Sequence, residues 1–100
     1  MKVDNLSSYT VYRWMHDKLQ LSCVRKEVFA CIYGCYLNGE EYTGSAAELA
    51  KITGYKPLTV YKALWDLTSM GYLIKRDFKN KQNRCAYRVN PEIVKGVAKA

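Results

Sequence analysis

One hundred residues suffice for one hydrophobic core and are too few for two. With 49% hydrophobic and 25% charged residues the composition excludes a disordered chain, and no apolar run approaches the roughly 20 residues that span a bilayer. The net charge of +7 is segregated: residues 1–53 hold six basic and six acidic side chains, whereas 54–90 hold eight basic ones against Asp66 and Asp77, a balance of +6.

The start, MKVDNLSSYT, lacks an apolar h-region, so no signal peptide and a cytoplasmic location are expected. SYTVYRW mixes β-branched and aromatic residues and reads as a short strand or an extended lead-in; MHDKLQL reads as a turn or a short helix. Tyr9, Tyr12 and Trp14 either anchor this lead-in or belong to a dimer interface. Ser22 is a reasonable N-cap for a long helix, CVRKEVFACIYGCYL. Its apolar set Val24, Val28, Cys31, Ile32 and Cys35 recurs at three and four residues. Gly34 inside it costs about 1 kcal/mol against alanine and is expected to admit a neighbouring helix. NGEE ends the helix, and YTG is a brief extended piece.

Ser45-Ala46-Ala47-Glu48 reads as a capping box, the serine accepting from the glutamate N–H and the glutamate reaching back. The short helix it opens turns Leu49 and Ile52 inward, and Gly54 stops it in the left-handed conformation. Pro57 suits the first turn of the next helix, with Lys56, intrinsically a poor choice, at its N-cap. Val60, Ala63, Leu64 and Leu67 form its buried stripe, and Gly71 ends it. Two helices joined by about three residues with a glycine make a helix-turn-helix arrangement. The period then changes: YLIKRDF and RCAYRVN are strand-like and flank a polar tip, KNKQN. In the second strand Cys85, Tyr87 and Val89 form the packing face, while Arg84, Ala86 and Arg88 form the other. EIVKGVAKA is a short terminal helix or a frayed tail.

The residues 44–76, GSAAELAKITGYKPLTVYKALWDLTSMGYLIKR, resemble the winged helix-turn-helix motif of bacterial, plasmid and phage DNA-binding proteins. The motif runs: small cap, LA, glycine turn, TV, a basic residue, AL, L, glycine, LI and a basic wing. The preceding WM…LQLS…EVFACIYG is similar to the first part of phage and plasmid replication-initiator-like and regulator proteins. One departure is Lys56-Pro57, where the family more often has a serine or threonine cap. The resemblance covers roughly residues 12–90. It implies an α+β, mainly α fold: a three-helix core plus a β-hairpin wing. The expected organisation is a lead-in segment at 1–21, the winged domain at 22–90, and a short C-terminal helix or tail at 91–100.

The function implied is sequence-specific binding of double-stranded DNA by a small transcriptional regulator or mobile-element replication accessory. A recognition helix at about 57–70 enters the major groove, and a basic wing lies at about 72–90. Recognition helices read bases through their N-terminal residues. With Val60, Leu64 and Leu67 buried, Leu58, Thr59 and Lys62 point outward. Lys62 bonds guanine acceptors or a phosphate, Thr59 offers its hydroxyl, and Leu58 a methyl contact to thymine. Tyr55 and Lys56 sit in the turn, beside backbone phosphates. Lys79, Lys81, Asn83 and Arg84 form the wing tip, suited to phosphate or minor-groove contact. Tyr61 and Trp65 are expected to pack against the hairpin or the first helix.

The alternative function is a protein-interaction or oligomerisation module of the same fold; a cysteine-based sensor is a third. Segregated charge favours DNA, because an interaction module has no need of +6 around one helix and its wing. No nucleophile–base constellation and no phosphate loop are present, so no enzyme is expected. His16 reads as a surface or helix-end residue. It can be drawn with Cys31, Cys35 and Cys85 as a zinc site, but structural zinc sites pair their ligands at tighter spacing. Buried, reduced cysteines fit the pattern better, so no metal, disulfide or cofactor is expected. A homodimer on a palindromic site is the expected assembly, because the domain alone presents one recognition helix.

Overall fold

In the computed structural model, which describes residues 9–19, 21–77 and 85–97, the first element is helix α1, Arg13–Leu19. Arg13 and Trp14 are therefore helical. The edge-on rings of Tyr12 and Trp14 meet Tyr33 at 5.4 and 5.2 Å, and the Tyr9 hydroxyl donates to Glu27. These contacts anchor the lead-in on α2. Met15 and Leu19, four residues apart on α1, are buried in the common core.

Helix α2, Cys23–Leu37, has the expected bounds. Ser22 stands at its N-cap with extended backbone, yet its hydroxyl makes no capping bond. The expected stripe is only part of what α2 buries: Phe29, Ala30 and Tyr33 join Val28, Cys31, Ile32 and Cys35. A helix apolar on so many sides is a central one. Gly34 does not serve a close helix contact. A Cβ placed there meets no described atom within 4 Å, because the packed neighbours of α2 lie against its other faces.

After α2 the chain runs extended, and Tyr42 pairs antiparallel with Tyr87, N–H to carbonyl at 2.8 and 2.9 Å in the two directions. Helix α3, Ala46–Thr53, opens as half of the expected box. Ser45 Oγ accepts from the Glu48 N–H at 3.2 Å, and the return bond is not formed. Gly54, at φ 84°, closes α3 in the left-handed region, its N–H donating to the Ala50 carbonyl at 2.8 Å. Helix α4, Pro57–Ser69, follows at once, with Lys56 extended at its N-cap and Pro57 in its first turn. Val60, Ala63, Leu64 and Leu67 are all buried, as the 3.6-residue period requires.

Strands β1, Leu73–Asp77, and β2, Cys85–Val89, pair antiparallel with Leu73 opposite Val89 and Lys75 opposite Tyr87. Tyr87 and Val89 are buried as the alternation predicts. Ala86, expected on the charged face, is buried as well, while Arg88 on that face is exposed. Asn90 then caps the last element. Its Nδ2 donates to the Gly71 carbonyl at 2.8 Å, and its Oδ1 accepts from the Glu92 N–H of helix α5, Pro91–Val97. The terminal segment is thus helical across 91–97.

The architecture is mainly helical α+β, with one two-stranded hairpin among the described residues. α4 packs on α2 and α3, and the hairpin packs on α2 and α4. Leu49, Leu64, Leu67, Leu73, Val60 and Val89 meet in this core. Each such fully buried side chain contributes about 1.5–3 kcal/mol. No described helix is long and apolar enough to cross a membrane. Burying one side of α4 against three elements leaves its opposite side to solvent, and that side holds the candidate site.

Candidate nucleic-acid interface

The buried stripe of α4 fixes what faces outward. At 100° per residue, Leu58 and Trp65 lie opposite the stripe's centre, with Tyr61 to one side and Lys62 to the other. Exposure follows: Leu58 is 64% accessible, Tyr61 54% and Trp65 64%, and Lys62 is exposed beside them. Thr59 sits further round and is half-buried. Tyr61 and Trp65 are therefore left largely exposed by the described residues of the hairpin and the first helix, against the expectation that they pack there. Among the described elements α4 packs on α2, α3 and β1. The helical wheel alone carried this signal, because position 65 falls almost directly over position 58. Tyr61, Lys62, Trp65 and Asp66 line a shallow depression of about 420 Å³ along this face.

The turn before α4 is tied down from below. Glu27 of α2 accepts two tyrosine hydroxyls, Tyr9 on Oε1 and Tyr55 on Oε2, the latter at 2.5 Å. The bond to that carboxylate, with some desolvation, pushes the Tyr55 phenol up to about 12. Its hydroxyl is thus committed to Glu27, and its ring packs partly against the core. Lys56 is exposed at the N-cap and makes no side-chain cap. Among the described residues the N–H groups of Leu58 and Thr59 find no partner, as the first turn of a helix dictates. They aim the positive end of the α4 dipole away from the core, beside two lysines.

The one acidic side chain of α4, Asp66, is paired. Arg25 of α2 donates to Asp66 Oδ2 from Nε and Nη2, at 3.1 and 2.6 Å. Away from this face, in a depression shared with Tyr36 and Arg88, Arg76 of β1 pairs with Glu41, and this bond holds the Glu41 carboxyl below its ordinary range. On α4 and its N-cap, Lys56 and Lys62 are then the exposed side chains whose charge is not paired with Asp66.

The expected wing-tip residues Lys79, Lys81, Asn83 and Arg84 lie outside the described residues; the described strands bring residues 77 and 85 opposite each other as their ends. Cys31 and Cys35 are fully buried, and burial foremost pushes their thiols up to about 12 and about 11. Both are protonated at neutral pH, which opposes a thiolate-based sensor at these positions. No cluster of three candidate metal ligands occurs among the described residues. His16 is exposed in the last turn of α1, beside Lys26 Nζ at 3.1 Å.

No family model, no curated protein and no solved structure matches the chain.

Proposed function

We propose that this chain is a cytoplasmic, winged helix-turn-helix DNA-binding protein. In this reading α4 enters the major groove of double-stranded DNA, the turn at Tyr55 and Lys56 meets a backbone phosphate, and the basic segment at 79–84 contacts the adjacent backbone. The observation that carries the reading is the exposure of Lys56 and Lys62 on the open side of α4, within the third of the chain that holds a balance of +6. A groove helix needs an unobstructed outward side, donors near its N-terminus and a positive field, and all three coincide there. The role that follows is a small transcriptional regulator or a mobile-element replication accessory, acting as a homodimer on a palindromic site.

Leu58, Tyr61 and Trp65 on the same side favour a second reading, a protein-interaction module, since exposed aromatics are common anchors of protein partners. Salt separates the two. Phosphate neutralisation releases counterions, so duplex affinity falls steeply with salt, by roughly 0.9 in log–log slope per phosphate contacted. Fluorescence anisotropy on random duplex DNA from 50 to 200 mM salt is the test, with the mass of the free protein and of its complex measured alongside. Absence of binding at low salt, or affinity indifferent to salt, transfers the assignment to the interaction module.

A further inference from the structure

The centre of the outward face of α4 is apolar, and this has consequences for what it can read. Between the helix start and Trp65 the exposed side chains are Pro57, Leu58, Tyr61, Lys62 and Trp65. Only Lys62 among them carries a charge, and Thr59 is turned half into the protein. The floor of a major groove offers donors and acceptors from every base pair but only one apolar feature, the C5 methyl of thymine. Hydrogen-bonding edges left against Leu58 or the tryptophan ring would lose their water without replacement, which penalises those bases.

We propose that Leu58, Tyr61 and Trp65 form a reader of thymine methyl groups. The assignment rests on the DNA-binding reading and names what that site selects. Leu58 and Trp65 are seven residues apart, about 10.5 Å along the helix axis at about 1.5 Å per residue. That span matches about three base steps at about 3.4 Å each. The selected site therefore carries two or three thymine methyls within three or four adjacent base pairs. Lys62, on the flank of the stripe, holds a neighbouring guanine or phosphate and fixes the register. A second copy of this chain is a poor occupant of the same face. Pairing two α4 helices about a two-fold axis at residues 61–62 would bring Lys62 against Lys62, while Asp66, the only nearby acid on α4, is already held by Arg25.

The experiment begins with selection of a site from random duplex DNA by the intact protein. Each thymine of that site is then replaced singly by deoxyuridine, which removes one methyl and leaves every hydrogen-bonding edge in place. Binding is measured at fixed salt for wild type and for Leu58→Ala, Tyr61→Ala and Trp65→Ala. Two or three substitutions should each weaken binding about fourfold, the value of one buried methyl-sized group. Each loss should disappear in one of the three variants. These side chains are solvent-exposed, so the variants keep the fold, and circular dichroism verifies it. A selected site without thymines, deoxyuridine substitutions that change nothing, or losses undiminished in all three variants would each overturn the methyl reader while leaving DNA binding standing. Failure to bind any duplex, with Leu58, Tyr61 and Trp65 still required for capture of a protein, would overturn both readings together.

Discussion

Arg25 on α2 grips Asp66 on α4 through two nitrogens of one guanidinium, both aimed at the same carboxylate oxygen. The residues are 41 apart in the chain, and the pair joins the central helix to the one that carries the candidate site. It also neutralises a carboxylate that shares a depression with Lys62.

Arg25→Ala should therefore act twice. The pair is partly exposed, so unfolding by urea should show a loss of no more than about 1 kcal/mol. The released Asp66 charge lies beside Lys62, and duplex affinity should fall severalfold at low salt. Asp66→Asn should lose similar stability but bind duplex DNA more tightly. Equal weakening of DNA binding by both variants would mean that the pair acts by holding α4 in place and not through its charge.

Lys62→Ala tests the cation at the middle of the outward face. A bidentate base contact is worth about 1–3 kcal/mol and is lost at one position of the site. A phosphate contact is lost equally on all sequences and lowers the salt slope by about one. Comparing the variant on the selected site and on random duplex separates the two outcomes. Unchanged binding with intact circular dichroism removes Lys62 from the interface.

Gly44 precedes the cap of α3, and a methyl added there would stand 2.7 Å from both Tyr42 Cζ and Glu48 Oε2. The glutamate can swing aside. Tyr42 cannot, because it is buried, paired through its backbone to Tyr87, and donates its hydroxyl to the Ser45 carbonyl at 2.8 Å. Gly44→Ala should lower stability by about 1–3 kcal/mol, and adding Glu48→Ala should not restore it. Thermal melts of the single and double variants provide the check.

Of Cys23, Cys31 and Cys35, only Cys23 is exposed. In a Cys85→Ser background, one thiol should react rapidly with a disulfide reagent at pH 7.5. Cys31 and Cys35, buried and raised to about 12 and about 11, should react only at the rate of unfolding. Three equally fast thiols would contradict the packing of α2.

The pair between Arg76 and Glu41 predicts an acid limb in the stability profile. The Glu41 carboxyl titrates below its ordinary value of 4.5 in the folded chain, so the charged form is the one the fold favours. Its contribution is complete above 4.5 and fades as pH falls through the lower folded value. Urea midpoints between pH 6 and 3 should decline less steeply in Glu41→Gln than in wild type, with the two curves converging at the acid end.

Much of this molecule is written locally in its sequence. The bounds of α2, the buried stripe of α4, the glycine stop at Gly54 and the proline entry at Pro57 all follow from patterns within one or two helical turns. Backbone sterics and the 3.6-residue period act at that range, so they are readable without a partner element. The charge balance of residues 54–90 is likewise a property of composition alone. What tertiary structure decided is which surfaces of those elements remain open. Whether Tyr61 and Trp65 are covered depends on which flank of α4 the hairpin takes, a choice set by the joint packing of α2, α4 and β1. The inward turn of Tyr55 depends on Glu27, 28 residues earlier, and the neutrality of Asp66 on Arg25. Such pairings leave no periodic trace in the chain. They arise because burying one common core brings distant side chains to the same place, and the aromatic face of α4 stays open because nothing in that core reaches it.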